Sequence, residues 1–153
     1  GPGDWDKGSS QIFQKIYSGL KFYTPGSTGY VDVLDVANAL VLLLFSNVKN
    51  ERFILNGANL KYRDCFDRIA VAVNKSKATI KVTPFLKEIA WRLEAIRSFI
   101  TGNKPLITKE TANNAMTDSS YSTTKIINTI DFKFTDIDVT IKKYADWYIT
   151  DQA

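Results

Sequence analysis

The 153-residue sequence contains no histidine and a single cysteine, Cys65, so it can form no internal disulfide and lacks the His and Cys sets that hold structural zinc. Only carboxylates remain for any metal, and a metal-free intracellular protein is expected. Methionine occurs once, as Met116, so the chain is expected to be either a processed protein or a piece of a longer one. Long hydrophobic runs are missing too. The strongest apolar stretch, residues 36–45, is ten residues long, against the roughly 20 that a membrane-spanning helix needs, and it reads as core. Nothing at the start has the charged, apolar and small-residue succession of a secretory leader, which leaves a cytoplasmic location as the expectation. Basic runs are also absent: the 20 Lys and Arg are scattered among 16 Asp and Glu for a net charge of +4. That is a mixed, solvated surface rather than a nucleic-acid footprint, so neither nucleic acid nor membrane is expected as a partner.

The length fits one domain, which at this size buries about two-thirds of its unfolded surface. Residues 1–10 are rich in Gly, Asp and Ser and read as a loop ending in a Ser cap for a helix over 11–18, with Ile12, Phe13, Ile16 and Leu20 as its apolar stripe. Short strands are predicted over 20–24 and 30–33, separated by Pro25-Gly26 and a small polar turn through Gly29. Asp35 reads as the cap of a nearly all-apolar helix buried on most of its circumference, ended by residues 47–50. A strand over 52–56 and an amphipathic helix over 61–74 follow, the helix with Tyr62, Phe66, Ile69, Ala70 and Val73 on one face. Another strand is expected over 79–83. Pro84 is placed to open a helix to about residue 100 with Phe85, Ile89, Leu93 and Ile96 inward. Helices over 108–116, 123–130 and 135–149 complete the chain, and no internal repeat occurs. Periodicity alone gives α+β or partial α/β, helix-rich with three or four short strands.

Chemistry is harder to find than structure. Two Tyr-x-x-x-Lys spacings, Tyr17 to Lys21 and Tyr121 to Lys125, would each put a phenol and an ammonium on one helical face, the pairing that reductases use as an acid and its pKa-lowering partner. Chance matches are expected among seven Tyr and many Lys, and Gly19 interrupts the first, so neither is taken as catalytic. No G-x-G-x-x-G or P-loop spacing is present, so no dinucleotide or nucleotide site is encoded here. Asp32, beside the strand-to-helix corner, is left open between a surface residue and a hydrogen-bonding one. Asp4, Trp5, Asp6 and Lys7 form a polar loop with an aromatic, read as surface with a pocket wall as the alternative. Trp91, Arg92, Glu94 and Arg97 read as core edge plus solvated charge.

Four segments in order carry a resemblance. They are GPGDWDKGSS at 1–10, GYVDVLDVANAL at 29–40, RFILNG at 52–57 followed by KYRDCFDRIAVAVNK, and SSYSTTKIINTIDFKF at 119–134. Together they resemble extended short-chain dehydrogenases/reductases of the NAD(P)-dependent epimerase/dehydratase and dihydroflavonol-reductase type. The first looks like the loop after that family's sixth sheet strand, the second like its Phe/Tyr-Val-x-Val-x-Asp-Val-Ala-x-Ala element. The third is similar to its late strand and trailing helix. The last is similar to its terminal Tyr-x-x-x-Lys segment, with Ile130-Asp131 where Leu-Gly is usual.

The resemblance implies that residues 1–153 are a C-terminal substrate-binding domain, the helix-rich subdomain of a Rossmann-type α/β enzyme, whose N-terminal NAD(P)-binding Rossmann domain is absent. NAD or NADP would then serve the full-length parent, with none binding this piece, and the catalytic Ser/Thr and Tyr-x-x-x-Lys would lie upstream. The parent would be an NAD(P)-dependent oxidoreductase or epimerase. This portion would bind a small molecule, a carbonyl or alcohol or a sugar nucleotide, and would not catalyse alone. Asp4, Trp5, Ser9 and Tyr30 are expected to line the substrate pocket, with the helix near 85–99 closing over it, and no catalytic, cofactor or metal residue is expected. Thr28, Gly29 and Tyr30 stand where nucleotide-sugar epimerases commonly carry an Arg for phosphate, which leans toward a smaller or less charged substrate, although Arg52, Arg63 or Arg97 could supply charge. A non-catalytic sensor or ligand-binding module of the same fold is the alternative, and homodimer formation is left open.

Overall fold

A computed structural model describes residues 4–5, 7–102, 105 and 108–152. The Gly-Pro-Gly opening and Asp6 lie outside the described residues. A 3-10 turn, Gly8–Ser10, leads into helix α1, Gln11–Tyr17, and Ser10 itself has helical dihedrals and makes no capping hydrogen bond. The expected Ser cap is therefore replaced by a continuous lead-in. Strand β1, Phe22–Tyr23, pairs in parallel with β4, Ile80–Lys81. Strand β2, Ser27–Tyr30, pairs antiparallel with β3, Ala58–Lys61, with Ser27 opposite Lys61 and Tyr30 opposite Ala58.

Helix α2, Val33–Leu44, starts two residues before the expected cap, because Asp32 and not Asp35 fills that place: its carboxylate accepts from Leu34 N at 3.0 Å. Asp35 falls in the first turn, buried, and ties the helix to a distant part of the chain by accepting from Thr135 N and Oγ1 at 2.8 and 2.7 Å. The strand expected over 30–33 consequently lies three residues upstream, and Gly29 is strand rather than turn. A Cβ there would overlap the Asn56 side chain and stand 2.8 Å from the Tyr121 ring, so close approach is what requires glycine. The strand expected over 52–56 forms no ladder, and pairing comes instead at β3.

Helix α3 spans Tyr62–Ala72 and α4 spans Pro84–Thr101, capped by the Thr83 hydroxyl on Leu86 N at 3.2 Å and stopped at left-handed Gly102. Helix α5, Lys109–Asn114, opens with a Thr108/Thr111 capping box. Helices α6, Thr124–Ile130, and α7, Ile137–Gln152, follow. The fold is mixed α/β, helix-rich, with four short strands among the described residues.

Two apolar clusters hold these elements. In the first, Ile16 of α1 meets Cys65, Ile69 and Ala70 of α3 and Ile141 and Ala145 of α7; the alanines let the helix backbones approach. In the second, Ala39 of α2, Ile126 of α6 and Phe132 are buried together, with Leu43, Phe53, Leu55 and Phe134 against them. Burying a side chain such as Ile126 contributes about 1.5–3 kcal/mol.

Two helices depart from the sequence expectation in the same way. Only the Asp35 and Ala39 face of α2 is buried, while Leu40, Val41 and Leu44 are 60, 54 and 76% exposed. Helix α4 has no buried residue, and the side chains expected inward, Phe85, Ile89, Leu93 and Ile96, are all exposed. Apolar periodicity marks a face that needs cover, and nothing among the described residues covers these two.

Candidate functional site

A cavity of about 170 Å³ opens where the 3-10 turn, α1, the end of β2, α3 and α7 converge. Of the residues expected to bind substrate, Trp5, Ser9 and Tyr30 line it and Asp4 does not. Asp4 is exposed and pairs with Lys7 at 2.6 Å, an i,i+3 contact that its place in the loop favours. Trp5 is fixed at the rim by its indole Nε1, which donates to Asp151 Oδ2 at 2.7 Å, and by edge-on contacts with Tyr148 and Phe13 at 4.9 and 6.1 Å between ring centres. The rest of the wall is mainly apolar, from Ile12, Phe13, Val33, Ile69 and Ile141, with hydroxyls at Ser9, Ser10, Thr140 and Tyr144. No residue of α4 reaches it, so the helix expected to close over the pocket lies elsewhere.

The wall is braced from behind by Asp32. This carboxylate is 3% exposed and accepts four hydrogen bonds: from Leu34 N, Thr140 Oγ1 at 3.2 Å, Lys143 Nζ at 2.6 Å and Tyr144 Oη at 2.9 Å. The spacing 140, 143, 144 puts all three α7 donors on one helical face. Burial pushes the Asp32 carboxyl up, but the Lys143 ammonium, the Leu34 amide and the Tyr144 hydroxyl outweigh it and hold it down at about 2. Burial and the bond to Asp32 both push the Tyr144 hydroxyl up. Burial likewise raises Tyr30, whose hydroxyl lies beside the Cys65 thiol without hydrogen-bond geometry and has no partner among the described residues. Cys65 is pushed up to about 11 by its burial.

Every resolved shift around the cavity therefore moves a group away from neutrality. The phenols and the thiol stay protonated, and Asp32 stays charged and fully occupied. Such a wall can bind an apolar body and orient it with hydroxyls; it offers no base or nucleophile poised near pH 7.

Neither Tyr-x-x-x-Lys spacing forms a pair on one helical face. Tyr17 is the last residue of α1 with Lys21 beyond it, and its ring carries Lys75 Nζ at 4.2 Å; Tyr121 precedes α6, and Lys125 is held by Glu51 at 2.5 Å. Arg63 lies over the Tyr23 ring and Arg97 is paired with Glu94, and no arginine lines the cavity. A pyrophosphate needs free amides at a helix start; the start of α2 is occupied by the buried Asp32 carboxylate, and that of α4 by Thr83 and Pro84. Among the described residues no group of three or more His, Cys, Asp and Glu could hold a metal, and no helix is long and apolar enough to cross a membrane.

No family model and no curated protein matches the chain. Solved structures do. A nucleoside-diphosphate-sugar epimerase from Pseudomonas aeruginosa, PA4631, superposes with a TM-score of 0.70 at 19% identity over 97% of this chain and 44% of its own. The fold is epimerase-like. The protein gox2253 superposes with a TM-score of 0.74 at 20% identity over 98% of this chain and 46% of its own. The chain thus spans less than half the length of the structures it matches.

Sequence reasoning missed Thr140, Lys143 and Tyr144 because α7 is distant from Asp32 in sequence. The available signal was the 140/143/144 spacing on a helix facing a carboxylate left without a role.

Proposed function

We propose that this chain is the substrate-binding portion of an NAD(P)-dependent oxidoreductase or epimerase that acts on a carbonyl or alcohol. The observation that carries the reading is the superposition of 97% of the chain on less than half of a nucleoside-diphosphate-sugar epimerase. The four ordered segments that resemble extended short-chain dehydrogenases/reductases support it from the sequence. Within this reading Trp5, Ser9 and Tyr30 line the substrate side, and Asp4 stabilises the loop through Lys7. The cavity of about 170 Å³ is smaller than the roughly 300–1,000 Å³ of ligand pockets. A site completed by further protein would account for the difference. The cofactor, NAD or NADP, would be held by that further protein, and the reaction would run in the cytoplasm.

The test is a thermal-shift titration with NAD, NADP and their reduced forms, on the 153-residue chain and on the protein encoded by the whole reading frame. A ligand that binds only the folded state raises the melting temperature. A shift in the whole protein alone is expected. A clear shift in the 153-residue chain, or none in either, would overturn the reading. In the whole protein, Trp5→Ala is expected to raise KM several-fold, and unchanged KM and kcat would remove that side chain from the pocket.

A further inference from the structure

Cations that look scattered along the sequence are gathered by the fold. Residues 15–23 and 61–81 hold eight of the 20 Lys and Arg but only two of the 16 Asp and Glu, so that elsewhere 12 bases face 14 acids. The net positive charge of the chain therefore lies in these two stretches, and the fold puts them side by side. Helix α1 and strand β1 both pack on α3, and β1 pairs with β4, where Lys21 O accepts from Thr79 N and Ile80 N at 3.1 and 2.9 Å. Lys15, Lys21, Lys61 and Lys81 are exposed and make no ion pair among the described residues. Elsewhere the cations are neutralised: Lys7, Lys87, Arg92, Arg97, Lys125 and Lys143 each stand 2.5 to 3.4 Å from a carboxylate. Like charges held together without counter-charges create a positive potential that favours an anionic partner.

This charge adjoins bare apolar surface. Phe22 and Ile80 stand opposite each other across β1 and β4, and both are exposed. Three residues beyond Lys81, α4 begins, with Phe85, Ile89, Leu93 and Ile96 bare along it. The charges of α4 are sorted as well: the side chains of Arg92 and Arg97 are 65 and 45% exposed, those of their partners Glu88 and Glu94 35 and 13%. An apolar stripe bordered by outward arginines, with the acids turned inward, is the pattern of a helix that lies in a lipid headgroup layer. A nucleic-acid strand fits less well. Its bases need open aromatic faces, and here Lys75 lies over the Tyr17 ring at 4.2 Å and Arg63 over the Tyr23 ring at 4.8 Å.

We infer that the β1/β4 edge and the outward side of α4 form a peripheral docking surface for a membrane of anionic phospholipid. The unpaired lysines meet the headgroup phosphates, their stems lying along apolar surface with the ammonium groups in water, while Phe85 and the residues that follow it on α4 enter the headgroup boundary. Both the uncompensated charge and the bare helix are then accounted for by one contact. The surface shares no residue with the cavity, so the inference goes beyond the oxidoreductase reading and does not depend on it.

Co-sedimentation of the protein of the whole reading frame with vesicles tests this, using phosphatidylcholine alone and an equal mixture of phosphatidylcholine and phosphatidylglycerol. Binding to the mixed vesicles only is expected, and it should fall several-fold as added salt screens the charges. The variant carrying both Lys21→Gln and Lys81→Gln should bind the mixed vesicles about 25-fold more weakly, at about fivefold for each lysine near an anionic surface. Phe85→Ser should weaken binding several-fold while leaving its salt dependence in place. No binding to the mixed vesicles, equal binding to both kinds, or lysine and Phe85 variants that bind like the parent would each refute the docking surface. Tighter binding to polyuridylate than to the vesicles at the same salt, lost with the same two lysines, would assign the basic edge to nucleic acid instead. A dimer that forms without vesicles and is broken by Phe85→Ser would also overturn the inference, by making a second copy the cover of α4.

Discussion

Replacing Asp32 by alanine removes one carboxylate and strands four donors. The α2 N-cap is lost, which costs about 0.5–2 kcal/mol. The Lys143 ammonium, whose side chain is 30% exposed against 1% for Asp32, loses its partner at the boundary of the core, and breaking a buried pair in this way costs about 3–5 kcal/mol. The partial exposure of Lys143 lets water recover some of that, so the expected net loss for Asp32→Ala is about 3–4 kcal/mol. Asp32→Asn keeps an acceptor for the Leu34 amide but not the charge, and should lose about half as much. The proton linkage has a definite sign. The folded carboxyl titrates at about 2 against the ordinary aspartate value of 3.8. Its contribution is therefore fully present above pH 4 or so, and is lost as pH falls through 2. At about 1.4 kcal/mol per tenfold change in proton affinity, that contribution is roughly 2–3 kcal/mol. Urea unfolding followed by tryptophan fluorescence at pH 7 and pH 3 measures both effects. A loss below 1 kcal/mol for Asp32→Ala at pH 7 would refute the view that this carboxylate joins α2 to α7.

Gly26→Ala should cost at least 2 kcal/mol in the same assay, because its Cβ would stand 2.5 Å from Thr117 O and 2.7 Å from Ala115 O, backbone that cannot yield without strain. Ile126→Ala, at a fully buried position, should lose about 2–5 kcal/mol. Leu93→Lys should shift the stability of the 153-residue chain by less than about 0.5 kcal/mol, since Leu93 is 61% exposed on α4; a loss above 2 kcal/mol would mean that this face is covered.

The sequence by itself determined most of the helices, because an apolar residue every three or four positions is a local property that any core reads in the same way. Helices α1, α3, α4, α6 and α7 lie within a few residues of where periodicity and Pro84 put them. The resemblance of the loop and strand singled out Asp4, Trp5, Ser9 and Tyr30 as pocket lining; the fold brings Trp5, Ser9 and Tyr30 to one cavity and leaves Asp4 outside it. Tertiary structure alone decided the remainder. Whether Asp32 or Asp35 caps α2 depends on Thr135, Thr140, Lys143 and Tyr144, about 100 residues away, and no local pattern contains those partners. Whether residues 52–56 form a ladder depends on a neighbouring strand, which β-propensity cannot supply. The apolar faces of α2 and α4 show the same division: hydrophobic spacing specifies that a face is to be buried, and only the assembled protein specifies what buries it.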